Sequence, residues 1–258
     1  MSAIIGSCTS NGDAWLRAVN HVDAQDGRQS RNIVIEVVDP IVESETDKAA
    51  RDLLDKFLVA SGLKDTRSTA NLIFPQNIYA RYGNPEFYAR YERAFPRLKR
   101  GSWGTYFNRM MTGSTVGHGE NRLNNLVDKI AREAAADATH GNALELPITG
   151  VDADISTYDA GRDENRLIGG PCLSHLSFKL VNKTTLELTA VYRNHYYIQR
   201  LYGNLLGLGW LMKFVGDETG VDLGGLTVIS THAIIDTPAN ANRAAVNALL
   251  AECRALAE

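Results

Sequence analysis

The sequence predicts one α+β domain over residues 1–258, in which a sheet and helices pack in two or three layers. Some runs alternate apolar and polar residues as β-strands do, and others repeat apolar residues at the spacing of an amphipathic helix. The chain is 44% hydrophobic and 22% charged, which is enough to bury a substantial core. No internal repeat and no low-complexity linker divides the sequence, so we expect a single domain.

The first half of the chain is predicted to be mostly helical. Amphipathic runs end at stop signals such as Gly62, and the Asn84-Pro85 pair is typical of a helix start. Pro75 interrupts an apolar run and favours an irregular or edge element there. The predicted elements are a short helix near 15–19, a strand at 33–38, an irregular element at 71–79, and helices at 46–60, 84–95 and 122–138.

The second half is predicted to be organised around three strands, at 176–181, 185–193 and 221–236. The strongly apolar run 196–214 lies between the second and third strands, and its glycines indicate a buried helix packed closely against its neighbours. A last helix is expected to begin with Thr237 as N-cap and Pro238 as its first residue.

Charge and composition exclude several classes of function. A net charge of -3 and a pI near 6.1 argue against a general nucleic-acid binder. No run approaches the roughly 20 apolar residues of a membrane span, and the N-terminus lacks a secretory signal, so we expect a cytoplasmic protein with no membrane partner. The three cysteines form no CxxC pair and fit a reducing compartment. Asp152, Asp154 and Asp159 spell no calcium loop, so no metal site is expected.

A turn ending in Gly-Gly-Pro-Cys delivers Cys172 to the start of a predicted strand. Pro171 stiffens this approach because its ring fixes one backbone angle. A cysteine beside a cation is a candidate nucleophile, and Arg193, at the end of the next strand, is placed to lower its pKa and to hold an anionic group. The alternative is a structural thiol, since free cysteines are often buried.

Two segments supply candidate ligand-binding residues. Arg28 and Arg31 lie in the loop that leads into the strand at 33–38, where they either bind an anion or are simply solvated. The segment 97–111 mixes cations, glycines and aromatic residues, among them Trp103 and Tyr106. Such a mixture suits a pocket for a flat anionic ligand, although an ordinary loop can have the same composition.

Four positions together resemble the thymidylate synthase superfamily, which includes the pyrimidine nucleotide hydroxymethylases. They are Pro171-Cys172 at the head of a strand, Tyr192-Arg193 at the end of the next, Asn204 in the apolar helix and His232 on the following strand. The resemblance implies that Cys172 is the nucleophile and that Arg193 binds phosphate. It also implies that Asn204 reads the pyrimidine edge and that His232 lies near the sugar.

The resemblance further implies a fold, a reaction and partners. The fold would be a mixed sheet flanked by helices, in a homodimer formed through a sheet face. The enzyme would transfer a methyl or hydroxymethyl group to C5 of a pyrimidine nucleotide, because C5 becomes nucleophilic once the Cys172 thiolate adds at C6. The implied cofactor is 5,10-methylenetetrahydrofolate. Weaker similarities imply that Arg28 and Arg31 belong to a phosphate-binding loop. They also imply that Trp103 and Tyr106 belong to a further segment that binds the substrate.

The sequence also departs from the family pattern, and alternatives follow from the departures. Leu173 stands where the family has histidine, Tyr196 where it has the aspartate that helps engage folate, and 142–148 lacks the expected arginine pair. The alternatives are folate-independent chemistry on a pyrimidine nucleotide or nucleoside, and a non-catalytic nucleotide-binding protein on the same scaffold. A hydrolase using Cys172 and His175 is weaker, because an offset of three puts two side chains on opposite faces of a strand.

Overall fold

A mixed sheet is the centre of the fold in the computed structural model, which describes residues 2–98, 104–112, 121–136, 143–148 and 171–256. The described strands are β1 (Ala3–Cys8), β2 (Gln29–Val37), β3 (Glu145–Pro147), β4 (Leu173–Val181), β5 (Thr185–Tyr192), β6 (His195–Tyr196) and β7 (Asp222–Ile234). They are arranged in the order β1-β2-β7-β5-β4-β3, and β6 also pairs with β7. The β1–β2 and β7–β5 pairs are parallel, whereas the β2–β7, β5–β4 and β4–β3 pairs are antiparallel.

Helices flank this sheet, so the α+β class predicted from the sequence is confirmed. Those in the described residues are α1 (Asn11–Asp23), α2 (Glu45–Ala60), α3 (Thr66–Ala70), α4 (Gln76–Tyr82), α5 (Glu86–Leu98), α6 (Tyr106–Thr112), α7 (Arg122–Ala135), α8 (Tyr202–Thr219) and α9 (Arg243–Ala255). A π-helical turn, Tyr197–Leu201, leads directly into α8.

Two local predictions need correction. The prediction of an irregular or edge element at 71–79 is correct for 71–75, which is irregular, but wrong beyond it: Pro75 precedes α4, where its missing N–H is not needed by a helical hydrogen bond. The last helix does not begin at Thr237-Pro238. Pro238 forms a turn closed by the N–H of Ala241, and Asn242 caps α9 by accepting a hydrogen bond from the backbone N–H of Ala245 at 2.9 Å.

One face of the sheet is buried against the helices. Alternate residues of the central strands form continuous buried rows; in one of them Ile35, Val228 and Ala190 lie side by side. Helices α1 and α8 pack on this face. The indole N–H of Trp15 on α1 donates to the carbonyl of Tyr197 at 3.0 Å, which ties α1 to the turn before α8.

Glycines of α8 allow the close packing that the sequence predicts. A Cβ atom at Gly203 would lie 2.6 Å from the carbonyl oxygen of Thr66, and one at Gly207 would lie 2.7 Å from that of Ala70. Because these obstacles are backbone atoms of α3 and its end, a larger residue would force the helices apart. The glycines therefore fix the distance between α3 and α8.

The other face of the sheet carries a row of half-exposed or exposed apolar residues. Ile4, Val34, Ile229 and Val191 are neighbours in consecutive strands, and Ile4 is 71% exposed. The next row is polar and consists of Glu36, Thr227, Thr189, Ser177 and Glu145. We call these two rows the open face of the sheet.

Among the described residues, no helix is both long enough and apolar enough to cross a membrane.

Candidate functional site

Cys172 lies immediately before β4, at the end of the sheet where β5 ends. The backbone N–H of Arg193 donates to the carbonyl oxygen of Cys172 at 3.0 Å, just beyond the paired residues Leu173 and Tyr192. The antiparallel β4–β5 pairing therefore sets the predicted nucleophile beside the predicted phosphate arginine. Cys172 is half-buried, whereas Cys8 and Cys253 are completely buried.

The neighbouring strands bring Arg31 and His232 to the same end of the sheet. Arg31 on β2 and His232 on β7 are directly opposed, so their side chains lie on one face. The hydroxyl of Thr231 on β7 donates to the carbonyl of Arg193 at 2.9 Å, which joins β7 to the end of β5. Arg31 and Cys172 are thus separated by three strand spacings, or about 14 Å across the sheet.

The electrostatics of Cys172 differ from the expectation of a low-pKa thiol. Burial raises the pKa of Cys172, and the positive charges of Arg193 and Arg200 offset only part of that effect. The cause is desolvation, which disfavours the thiolate more than the two guanidinium groups favour it. Arg193 acts in the expected direction, but the net shift is upward.

Tyr106 reaches the predicted nucleophile from α6. Its side chain is buried, and its hydroxyl oxygen lies 3.5 Å from the backbone nitrogen of Leu173, which donates to it. Burial raises the pKa of Tyr106 to about 12, and the nearby Cys172 acts in the same direction. The tyrosine is therefore a neutral hydroxyl beside the cysteine at neutral pH.

Asn204 belongs to a buried network centred on His195. Its Nδ2 atom lies 2.9 Å from Nε2 of His195, and Nδ1 of the same ring lies 2.9 Å from Oγ of Ser230. The imidazole stacks on the ring of Tyr192, with centroids 4.1 Å apart and planes 10° from parallel. Burial lowers the pKa of His195 to about 3, so the ring is neutral at neutral pH.

The hydroxyl of Tyr192 is completely buried and has no hydrogen-bond partner among the described residues. Burial raises its pKa well above the ordinary value, and Tyr106 and Cys172 are close enough to add to the shift. A buried polar group without a partner costs roughly 1–3 kcal/mol and commonly marks a place where a ligand or water binds.

Arg28 and Arg31 separate into different roles. The guanidinium of Arg28 is buried within 2.5 Å of the carboxylate of Asp23, which also pairs with Arg254 at 2.7 Å. Arg31 is exposed on β2. Of the two predicted phosphate residues, Arg31 is therefore placed to meet a ligand, whereas Arg28 serves an internal ion pair.

His232 is held by two neighbours. Its Nδ1 atom lies 2.7 Å from Oδ1 of Asn194, and its Nε2 atom lies 3.1 Å from Oε1 of Gln29. A neutral imidazole carries one N–H, so it can donate to one of these two amide oxygens at a time.

A cavity of about 300 Å³ lies near this site. Its polar lining includes Lys64, Ser68, Thr69, Asn71, Asn77, Thr105 and Arg200, and its apolar lining is Leu72, Pro75, Ile78 and Tyr91. Arg200 donates to the hydroxyl of Thr69 at 3.3 Å. Arg200 thus lines the cavity and also acts electrostatically on Cys172, and Thr105 of the lining directly precedes Tyr106.

Sequence reasoning missed Arg109 and Arg200. Arg109 is buried on α6, where its Nη1 atom lies 3.4 Å from the carbonyl oxygen of Ile148, and it is close enough to Arg193 to interact electrostatically. The sequence feature that could have identified each of them is a lone cation in an apolar helical run. Arg200 also precedes Asn204 by one helical turn, which places the two on the same side of the helix. Trp103 lies outside the described residues.

His175 is not part of this arrangement. Nε2 of His175 lies 2.7 Å from Glu145, on the open face of the sheet, so the His175 ring is engaged by a carboxylate. Asp152, Asp154 and Asp159 lie outside the described residues. Within the described part of the chain, no group of three His, Cys, Asp or Glu side chains is close enough to hold a metal ion.

A comparison with protein-family models and a search of curated proteins found no match for this chain, so the assignment of its function depends on the site itself.

Proposed function

We propose that this protein is a thymidylate synthase-like enzyme that transfers a one-carbon unit, methyl or hydroxymethyl, to C5 of a pyrimidine nucleotide. The observation that carries the proposal is the meeting of Cys172, Tyr106 and Arg193 at one end of the sheet. These residues come from separate parts of the sequence. Tyr106 is on α6, Cys172 precedes β4 and Arg193 follows β5, so the fold brings the three together.

The proposed chemistry begins with a bond from the sulfur of Cys172 to C6 of the ring. The electron pair of the C5–C6 double bond moves toward C5 and the 4-substituent, so C5 becomes the nucleophile. C5 then bonds to the one-carbon unit, and its proton passes to water. The bond between the one-carbon unit and its donor breaks with the electron pair left on the donor, and a hydride or a water molecule completes the methyl or hydroxymethyl group. Breakage of the sulfur–C6 bond restores the double bond and returns the thiolate.

The neighbouring residues suit these steps. A neutral Tyr106 hydroxyl next to the cysteine is able to donate to charge that develops on the ring. The charges of Arg193 and Arg200 favour the thiolate, against the desolvation that raises the pKa of Cys172. Arg31, at the same end of the sheet as Cys172 but three strand spacings away from it, is available for an anionic group on the substrate.

The nearby cavity fits part of a reduced folate. Leu72, Ile78 and Tyr91 offer apolar and aromatic surface for a flat ring, and Lys64 and Arg200 offer charge for a carboxylate. When bound, 5,10-methylenetetrahydrofolate would supply the electrophilic carbon and, for methyl transfer, the hydride. The residues of the cavity would hold it next to Cys172 and keep water away from the reacting ring.

The proposal is tested by the product and by a trapped adduct. The protein is incubated with uridine or cytidine nucleotides, with and without 5,10-methylenetetrahydrofolate. We expect the mass of the base to increase only when the folate is present. A 5-fluoropyrimidine nucleotide incubated with the folate should add the mass of both to the intact protein, because C5, once bonded to the one-carbon unit, cannot lose fluorine as it loses a proton. Cys172→Ser should abolish both signals, whereas the buried Cys253→Ser serves as the matched cysteine control. Full turnover by Cys172→Ser would end the proposal.

A second candidate, a non-catalytic nucleotide-binding protein, is favoured by the raised pKa of Cys172. A protonated thiol is a poor nucleophile but does not hinder binding. Nucleotide binding that survives Cys172→Ala, with no product and no adduct from the wild-type protein, would support this candidate. Folate-independent chemistry would instead give a modified base without added folate.

We also propose that the protein is a homodimer formed through the open face of the sheet. A contiguous exposed apolar patch commonly marks an interaction surface, and here the described elements leave Val34, Ile229 and Val191 half-exposed. A second copy of the same face would cover this apolar row, as the resemblance implies. The oligomeric state in solution tests this point.

A further inference from the structure

We propose that a crevice beyond the carboxyl ends of β1 and β2 is a second ligand site, which binds a small monocarboxylate with a hydroxyl group on the neighbouring carbon. Its lining includes Asn11 and Gly12, which follow β1, and residues 40–43, which follow β2. The two strands are parallel and are connected by α1. Ligands of α/β sheets commonly bind outside the carboxyl ends of such strands. We call this feature the β1–β2 crevice.

The β1–β2 crevice is distinct from the cavity near Cys172. Helix α3 contributes to both, since Arg67 lines the crevice whereas Ser68 and Thr69 line the cavity, but no described residue lines both. The volume of the crevice is about 90 Å³, which equals that of about three water molecules at ~30 Å³ each. It therefore accommodates the polar head of a small molecule.

The charged residues of the crevice favour a single negative charge on the ligand. Among the described residues, those charges belong to Glu43, Arg51 and Arg67. The guanidinium of Arg51 pairs with the carboxylate of Glu43, so these two charges offset each other. Arg67 is exposed on α3 and has no carboxylate partner in the described part of the chain. One available guanidinium matches a carboxylate, whereas a phosphate dianion would need a second free cation.

Asn11 provides a hydrogen-bond acceptor that the protein does not use. Asn11 is only 3% exposed, and its side-chain nitrogen Nδ2 donates to the carbonyl oxygen of Pro40 at 2.6 Å. Because a carbonyl oxygen can only accept, this contact fixes which end of the amide faces Pro40. The Oδ1 atom of Asn11 is buried and has no hydrogen-bond partner among the described residues. The hydroxyl of a ligand in the crevice would satisfy this acceptor.

The rest of the wall suits a short apolar chain on the ligand. Leu206 and Trp210 are one helical turn apart on α8, and both are half-buried where they line the crevice. Ile41 and Val42 also line it and are 45% and 52% exposed. Carbon atoms attached next to the carboxylate would cover some of this apolar surface. A 2-hydroxy carboxylic acid combines the charge, the hydroxyl and the apolar chain.

Nitrogen-15 NMR of the tryptophan indole groups tests this site, with 2-hydroxybutanoate as the probe. The resonance of Trp210, assigned with Trp210→Phe, should shift and saturate as the probe is added to the wild-type protein. The indole N–H of Trp15 donates to the carbonyl of Tyr197 in the core, so its resonance should not shift. Butanoate lacks the hydroxyl and 2-hydroxybutanamide lacks the charge. Each is expected to bind at least about fivefold more weakly than 2-hydroxybutanoate.

Arg67→Met should weaken binding of 2-hydroxybutanoate about tenfold, because it removes the available guanidinium. Arg132→Met, also an exposed arginine but on α7, is the matched control and should bind as the wild type does. An unchanged Trp15 resonance shows that the Arg67→Met core is intact.

Three results would overturn the proposal. They are a Trp210 resonance that does not respond to 2-hydroxybutanoate, an amide that binds as tightly as the acid, and inorganic phosphate that binds more tightly than the acid. The comparison of acid with amide uses only the wild-type protein, so it holds whether or not Arg67→Met folds. No nucleotide or folate is added, so the result is independent of the proposed function.

Discussion

The backbone N–H of Arg193 donates a 3.0 Å hydrogen bond to the carbonyl oxygen of Cys172, so the two residues are fixed relative to each other by the sheet and not by their side chains. This relationship places a cation beside a thiol whose pKa burial has raised. The reactivity of Cys172 therefore depends on the balance between desolvation and charge.

That balance predicts the effect of removing an arginine on thiol reactivity. Arg193→Met or Arg200→Met should slow alkylation of Cys172 by iodoacetamide at pH 8 about fivefold, the factor that ~1 kcal/mol of lost charge interaction corresponds to. Peptide mass spectrometry assigns the rate to Cys172, because burial raises the pKa of both Cys8 and Cys253 to about 11. Lys213→Met is the control, and unchanged rates in both arginine variants would contradict the prediction.

The different environments of Arg28 and Arg31 predict different consequences for the same substitution at the two positions. Arg31→Met should weaken nucleotide binding about tenfold and leave nucleoside binding unchanged, because it removes a charge-assisted contact to phosphate. Arg28→Met should lower the melting temperature instead, because it removes a buried partner of Asp23. Calorimetric titration and thermal unfolding of both variants separate the two effects. Equal losses of nucleotide affinity would contradict the assignment.

His195 predicts a pH dependence of stability. The folded-state pKa of about 3 lies below the ordinary value of 6.5, so its stabilising contribution is complete above pH 6.5 and is lost as the pH falls toward 3. As the pH falls from 6 to 4, the wild type should lose ~1.4 kcal/mol of unfolding free energy per pH unit relative to His195→Gln. Urea unfolding at several pH values measures it, and a difference independent of pH would contradict a buried neutral ring.

The contact between α3 and α8 predicts a steric cost at Gly203. Gly203→Ala should destabilise the protein by roughly 1–3 kcal/mol, because the new Cβ meets backbone of α3. At Gly216 the nearest atom is the Cδ2 of Leu223, at 2.7 Å, in a side chain that can move. Gly216→Ala should therefore cost less, and urea unfolding compares the two. A larger loss at Gly216 would show that α3 yields more easily than Leu223.

The open face predicts a change of oligomeric state. Ile229→Lys introduces a charge at the centre of the apolar row and should convert a dimer of twice 28.3 kDa into a monomer of 28.3 kDa by light scattering. Val59 is 61% exposed on α2, so Val59→Lys should leave the mass unchanged. A monomeric wild-type protein, or a dimeric Ile229→Lys, would rule out this interface.

The sequence alone determined the local elements. Apolar spacing predicted α1, α2 and α7 to within a few residues, and alternation predicted β4 and β5. It also determined that Cys172 stands at the head of a strand, since Pro171 precedes it directly. The strand β1 was missed, and the helix that begins directly after Pro75 was not predicted because proline both interrupts strands and precedes helices.

Only the tertiary structure decided how the site is assembled. Arg31 and His232 are 201 positions apart in the sequence, and the antiparallel pairing of β2 with β7 makes them neighbours. The partner of Asn204 and the upward pKa shift of Cys172 are also tertiary properties. Desolvation depends on how much water the whole fold excludes, and a hydrogen bond depends on two atoms meeting. Neither quantity is encoded in the spacing of residues along the chain.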